Sequence, residues 1–238
     1  FPDWELIIVD DGSTDSTARI AHSLAERDRR IKALSGSAAG IVSALNDGLS
    51  ASRSEFVARL DSDDLAHPER LTRQLSEFEA DPELVLLGTW ARILDEAGNI
   101  TGRRTPPTST NVIRQMLPVR NPFIHSTTMM RRTAIDVAGR YRIACQGAED
   151  YDLWLRLNEI GKVAILGEEL VDYRVHHSSA TSTMPLRQAY AARLARTSAL
   201  ERSSGRIDPL AGVDSELDWW AASALADKLA PAALLFRL

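Results

Sequence analysis

Leu6-Ile7-Ile8-Val9-Asp10-Asp11-Gly12-Ser13 is the stretch that decides the fold. Its four-residue apolar run, rich in β-branched side chains, reads as a strand buried on both faces, as in parallel sheets. The run stops on two carboxylates and a glycine. Ser13 or Asp15 can then cap a helix through about Arg27, with Ala18, Ile20, Ala21, Leu24 and Ala25 on its apolar side. The unit repeats: a strand at Ile31 to Leu34, a helix from about Ala39 to Ser50, and a strand at Phe56 to Leu60. That third strand also ends in acid, Asp61-Ser62-Asp63-Asp64. This alternation predicts an α/β domain on an open, mostly parallel sheet flanked by helices. Ligands bind such sheets beyond the carboxyl ends of the strands, where both acidic clusters fall.

Further along, Pro68 opens a helix through about Ala80, and Leu84 to Thr89 is a strand. Ala97-Gly98-Asn99 reads as a hairpin turn between strands at Ala91 to Leu94 and Ile100 to Arg103. A short helix at Asn111 to Leu117, a strand at Ser126 to Arg131 and a helix at Tyr151 to Glu159 follow. Val163 to Leu166 and Leu170 to Val175 complete the strands. After Pro185 the text turns to Ala, Leu and Arg, predicting helices at about 186–203 and 214–229. The expected division is a main domain over 1–182 and a C-terminal helical extension over 183–238. Trp219-Trp220 in that extension is read as packing on the core, with dimerisation or a peripheral contact with a membrane surface as the alternatives.

At 238 residues the chain can bury one good core, and 44% apolar with 26% charged residues is ordinary for a globular protein. A net charge of −5 gives no basic footprint for nucleic acid, so an anionic nucleotide would need a local device such as a metal. No apolar run approaches the roughly 20 residues that span a bilayer, and no signal peptide is visible. Cys145 stands alone, which excludes an internal disulfide and fits a reducing, cytoplasmic setting; it reads as a packed small hydrophobe. The chain starts at Phe1-Pro2-Asp3-Trp4 and is expected to be a fragment of a longer protein.

Three carboxylates within the four residues Asp61 to Asp64 repel one another unless something positive sits between them. Hard oxygen ligands of this kind suit Mg²⁺ or Mn²⁺, which bridge to substrate phosphates. A solvated acidic loop is the alternative, with Asp64 no more than a cap for the helix after Pro68. Asp10 and Asp11 read either as a capped turn or as acceptors for a nucleobase imide or ribose hydroxyl. Glu149 and Asp150 suit a helix dipole, and one of them could equally be a general base. Arg59 and Arg174 could neutralise phosphate or simply snorkel, and His125, His176 and His177 carry little information alone.

Taken in order, these segments resemble the family 2 glycosyltransferases, which have the GT-A fold. The matching text is Glu5 to Thr17; Gly40-Ile41 with Ala44-Leu45-Asn46 and Gly48-Leu49; Ala58 to Asp64 with Pro68, Arg70-Leu71 and Gln74; His125-Ser126 with Met130-Arg131-Arg132, Gly139 and Tyr141; Glu149 to Arg156; and Tyr173 to His176 with Ser182. The resemblance implies that Asp11, with Asp10 beside it, contacts the nucleotide base. It places Asp61 near the ribose and diphosphate, and Asp63 on a divalent metal with His176 reaching the metal or diphosphate; Arg59, beside Asp61, is counted with the donor-binding residues. Asp150 would be the general base, supported by Glu149. The family's first strand has no counterpart here, so an unpaired sheet edge is expected. The implied reaction is inverting transfer from a nucleoside-diphosphate sugar, a UDP-sugar first of all, to a glycan or lipid-linked acceptor hydroxyl in cell-surface polysaccharide synthesis. A nucleotidyltransferase would show a Gly-rich basic loop that is not seen, and a non-catalytic nucleotide or glycan binder would not hydrolyse donor.

Overall fold

The computed structural model describes residues 2–176 and 185–213. The predicted second C-terminal helix, Trp219-Trp220, His177 and Ser182 lie outside the described residues. The elements run β1 (Leu6–Asp10), α1 (Thr17–Arg27), β2 (Ile31–Ser35), α2 (Ile41–Ala51), β3 (Phe56–Ala58), β4 (Leu65–Ala66), α3 (Arg70–Ala80), β5 (Leu84–Leu94) and β6 (Ile100–Arg104). They continue with α4 (Thr110–Met116), β7 (Met129–Arg131), α5 (Arg132–Ala138), α6 (Glu149–Ile160), β8 (Lys162–Arg174) and α7 (Pro185–Ser203).

The α/β class with flanking helices is as expected, but the sheet is mixed rather than mostly parallel. β1 and β2 form a parallel pair of their own. The main sheet has the order β3-β7-β5-β8-β4, with β6 on β5. Within it only β5 and β8 run parallel; the β3–β7, β5–β7, β5–β6 and β4–β8 pairings are antiparallel. Strand direction leaves no mark on a short apolar run, which is why pattern alone misjudged it. Two expected strand pairs also merge: Leu84 to Leu94 is one strand, running through Trp90, and so is Lys162 to Arg174, running through Gly167-Glu168-Glu169, with register shifts between the two strands there.

β1 departs from expectation as well. Leu6 is 43% exposed and the rest of the strand is only half-buried. Among the described residues β1 pairs with β2 alone and β3 with β7 alone, so each has an edge without a strand. Ile20 and Leu24 of α1 are correspondingly exposed, and only Ala21 of that helix is buried.

The main core lies under the long strands. Trp154, Leu153 and Leu157 of α6 pack with Leu86 of β5, Val163 and Ile165 of β8, Ile113 of α4 and Ile135 of α5. α7 adds Ala191, Leu194 and Ala195 to the same core. The opposite face is covered by α3, where Phe78 meets Leu84, Leu87 and Met129. Gly161, between α6 and β8, has no room for a side chain: a Cβ there would lie 2.5 Å from Val85 Cγ1 and 2.9 Å from the Glu83 carbonyl oxygen.

α3 is also pinned to the sheet by polar groups. Gln74, fully buried, donates to the Leu87 and Thr127 carbonyls, each at 3.0 Å. Arg70, 2% exposed, donates to Gln74 Oε1 and to the Arg59 and Thr128 carbonyls at 3.0, 2.8 and 3.0 Å. These contacts hold the strand ends from which the acidic loop departs. Removing one side would strand buried acceptors, which costs about 1–3 kcal/mol per group. Gln74→Ala is therefore expected to lower the unfolding free energy by about 2–4 kcal/mol in a urea titration, against a change within about 0.5 kcal/mol for the exposed Glu79→Ala.

Candidate functional site

Two turns and one helix start frame the site. At the end of β1, Asp10 turns back on its own loop, accepting the Ser13 N–H at Oδ1 (3.2 Å). Asp11 reaches across instead: its Oδ2 accepts the Gly40 N–H at 2.8 Å, while its Oδ1 is buried without a partner. Gly40 has φ +92°, and a Cβ there would approach Gln146 Nε2 to 3.2 Å, so the approach of the two loops depends on glycine. The start of α2 is thereby fixed to Asp11. Its middle is fixed by Asn46, whose Nδ2 donates to the Tyr141 carbonyl (2.9 Å) and whose Oδ1 accepts the Tyr141 N–H (3.2 Å).

Beyond β3, Asp61, Asp63 and Asp64 present carboxylate oxygens that all lie within 4.8 Å of one another. Asp61 is held by Arg59 and Ser126, and Asp63 and Asp64 from the end of β8. Asp61 makes a two-pronged ion pair with Arg59 and accepts from Ser126 Oγ at 3.0 Å. Asp63 Oδ2 is 3.0 Å from His176 Nε2. Asp64 is not a helix cap, as α3 starts only at Arg70; its Oδ1 accepts the Arg174 N–H at 2.7 Å. It is 5% exposed, its Oδ2 has no partner, and burial pushes its carboxyl above the usual range. An orphaned buried carboxylate oxygen among three hard donors fits a divalent cation such as Mg²⁺ or Mn²⁺. Arg174 serves the loop rather than a ligand: Nε donates to the Asp63 carbonyl (3.0 Å) and Nη1 to the Asp95 carbonyl (2.9 Å).

The third part is the start of α6. The buried Glu149 accepts the Gly147 N–H at Oε2 (2.7 Å) and so braces the helix entry. Asp150 is half-buried. Its Oδ1 accepts the Tyr151 N–H at 2.6 Å and its Oδ2 accepts from Asn121 Nδ2 at 3.1 Å. Burial, then the charge of Glu149, push its carboxyl up to about 7, against the smaller opposing pull of the Tyr151 N–H, Arg59 and Asn121. Arg59 thus acts electrostatically on Asp150 while paired to Asp61, and its charge is felt by His125, Tyr141 and Tyr173 too. His125 is held well below its ordinary range by burial, with Nε2 2.8 Å from Tyr141 Oη and its ring edge-on to Trp154.

The structure therefore groups Asp61, Asp63 and His176, joins Arg59 to both that group and Asp150, and sets Asp10 and Asp11 on the separate β1–β2 pair. Sequence reasoning missed Asn121, Ser126 and Tyr173. Ser126 and Tyr173 had a cue, their places in matched segments after His125 and before Arg174; Asn121 sits in unremarkable text. Cys145 is fully buried, and burial pushes its thiol up, as suits a packed residue. Among the described residues no helix is long and apolar enough to cross a membrane.

Residues 1–138 match the family model described as glycosyl transferase family 2. The O-antigen biosynthesis glycosyltransferase WbnJ of Escherichia coli is 34% identical over 185 residues, covering 75% of this chain and 71% of its own length. The amylovoran biosynthesis glycosyltransferase AmsE of Erwinia amylovora is 39% identical over 136 residues, 57% of this chain and 50% of its own. The crystal structure of S. aureus TarS 1–349 in complex with UDP-GlcNAc superposes with TM-score 0.63 over 94% of this chain and 61% of that one. At 17% identity that likeness shows the fold, a GT-A architecture. The chain spans between half and seven-tenths of the lengths of these proteins.

The raised carboxyl of Asp150 has a consequence for stability. Between about pH 4 and pH 7 the unfolded chain has released this proton while the folded chain keeps it, so stability falls as pH rises through that window. Asp150→Asn is expected to melt higher than wild type at pH 8, by about 1–3 kcal/mol in unfolding free energy, with the difference gone below pH 4. Thermal melts of both proteins from pH 3.5 to 8.5 provide the measurement.

Proposed function

The chain belongs to glycosyl transferase family 2, and from that premise we propose that it transfers a sugar from a nucleoside-diphosphate sugar to an acceptor hydroxyl, with inversion and with the help of a divalent cation. The observation that carries this reading is that Arg59 is paired with one acidic group and within electrostatic reach of another: a three-carboxylate cluster suited to a cation, and the half-buried Asp150 carboxyl poised near neutrality.

In this reading Asp11, on the β1 turn, receives the nucleobase, its unpartnered Oδ1 being the acceptor on offer. Asp61 and Arg59 face the ribose and diphosphate, and Asp63, with Asp61, Asp64 and His176 beside it, would hold Mg²⁺ or Mn²⁺. A cation bound there supplies Lewis-acid stabilisation of charge on the leaving diphosphate. Asp150 takes the proton of the acceptor hydroxyl, whose oxygen attacks the anomeric carbon from the face opposite the diphosphate. The C–O bond to the diphosphate breaks as the new one forms, so no covalent enzyme intermediate and no nucleophilic Ser or Cys is required. Glu149 supports Asp150 in two ways, by bracing the helix start and by adding the like charge that keeps its neighbour basic.

A UDP-sugar is the donor we infer, supported by the complex of TarS with UDP-GlcNAc. The acceptor is a hydroxyl of a glycan or lipid-linked glycan, supported by relatives concerned with O-antigen and amylovoran biosynthesis.

Calorimetric titration with UDP tests the donor half. Binding is expected to require Mn²⁺ and to weaken by at least about tenfold in Asp63→Ala; equal binding with and without the metal would refute the cation's role. The acceptor half is tested by product release from the UDP-sugar that binds. Asp150→Asn is expected to lose about 10²–10⁴-fold in rate. The wild-type rate should rise with pH through about 7, as Asp150 must be ionised to accept the proton.

A further inference from the structure

We propose that Asn121 is the positioning residue for Asp150, its amide holding one carboxylate oxygen so that the ionised group is fixed in plane toward the acceptor hydroxyl. The proposal rests on the reading of Asp150 as the base.

Two contacts define the Asn121 side chain. Its Oδ1 accepts the Phe123 N–H at 3.0 Å, and its Nδ2 donates to Asp150 Oδ2 at 3.1 Å. The first contact dictates the second, because an amide whose oxygen faces a backbone N–H must turn its NH₂ the other way. The anchor is firm. Pro122 and Phe123 are buried, and the Phe123 ring lies 6.1 Å from that of Trp154 on α6, the helix that carries Asp150. Phe123 also presses on β5, where a Cβ at Gly88 would come within 2.7 Å of its Cδ1. A proline after Asn121 narrows the backbone from which the amide projects. With Oδ1 committed to its own turn, Nδ2 is a donor aimed from a rigid base at the carboxylate.

A carboxylate that must alternate between free base and proton carrier needs donors that favour the ionised form without neutralising it. The groups facing Asp150 divide on that point. Glu149 on its own helix opposes ionisation, and Arg59 beyond β3 favours it. Tyr141 lies within electrostatic reach, and the neighbouring Tyr151 is itself in reach of Arg196 on α7. Arg59 is already paired with Asp61. Asn121 is the neutral side-chain donor hydrogen-bonded to the Asp150 carboxylate.

Two substitutions separate this role from a structural one. Asn121→Asp keeps the acceptor for the Phe123 N–H and replaces the donor with a carboxylate oxygen; Asn121→Ala removes both. The readout is the titration of Asp150 itself, followed by the carboxyl carbon-13 shift in aspartate-labelled protein and assigned with Asp150→Asn. The midpoint is expected to rise by roughly one unit or more in Asn121→Asp and by less in Asn121→Ala. In turnover, Asn121→Asp should be slow at pH 6.5 and recover most of the wild-type rate by pH 9, whereas a merely structural lesion lowers the rate equally at every pH. An Asp150 midpoint unmoved in both folded variants would overturn the proposal. Failure of the underlying reading looks different: Asp150→Asn would then keep wild-type turnover, whatever Asn121 does.

Discussion

Arg59 is the charge on which the site depends. Three carboxylates held within 4.8 Å of one another repel unless something positive sits among them. Arg59 is the protein's own cation at that place, forked onto Asp61 and steadied by Ser126 Oγ at 2.9 Å. Its backbone is as constrained as its side chain: the N–H donates to the Thr128 carbonyl and its own carbonyl is taken by Arg70. The guanidinium is therefore delivered by the sheet and not by a flexible loop. Since it also draws the Asp150 carboxyl toward ionisation, one cation couples the cation-holding side to the proton-accepting side.

The acids at Asp10–Asp11 and Asp61–Asp64 were legible because each run follows an apolar strand. What they do there was not. Asp61, Asp63 and Asp64 look alike as text, yet Asp64 is buried and anchors β8 through the Arg174 N–H while the other two face the side chains of Arg59 and His176. The same holds for the three acids opening α6. Successive helix positions point about 100° apart, so Glu149 turns to the Gly147 N–H, Asp150 to Asn121, and Asp152 inward to Arg142 and Arg156. Asn121 was invisible, because a single polar residue before a proline has no periodicity to betray it.

The inward acid belongs to a network that sequence could not have assembled. Asp152, fully buried, pairs with Arg142 and Arg156; Arg142 continues to Asp208, and Asp208 to Arg202 of α7, with N–O distances of 2.7 and 2.8 Å. Charges taken from water are tolerable only when all are paired, so this arrangement fixes geometry more than it adds stability. It sets α7 against α6 and brings Arg187 and Gln188 up to Gly147, two residues from Glu149.

β8 runs through both the core and the site, and its pairing with β5 is uneven. Leu166 is opposite Thr89 and Glu169 opposite Trp90, so Gly167 and Glu168 have no counterpart across the ladder. From Val171 onward the register is unbroken through Arg174, two residues before His176. This asymmetry divides the strand by its tolerance for changes in length. A residue gained or lost at Gly167–Glu168 enlarges or shrinks a bulge and leaves everything downstream in place. One gained or lost after Val171 slides His176 by about 3.3 Å and turns Tyr173 to the opposite face. Chains built on this pattern can therefore drift in length on the near side of Val171, while on the far side the residue count is held fixed by the carboxylates it must reach.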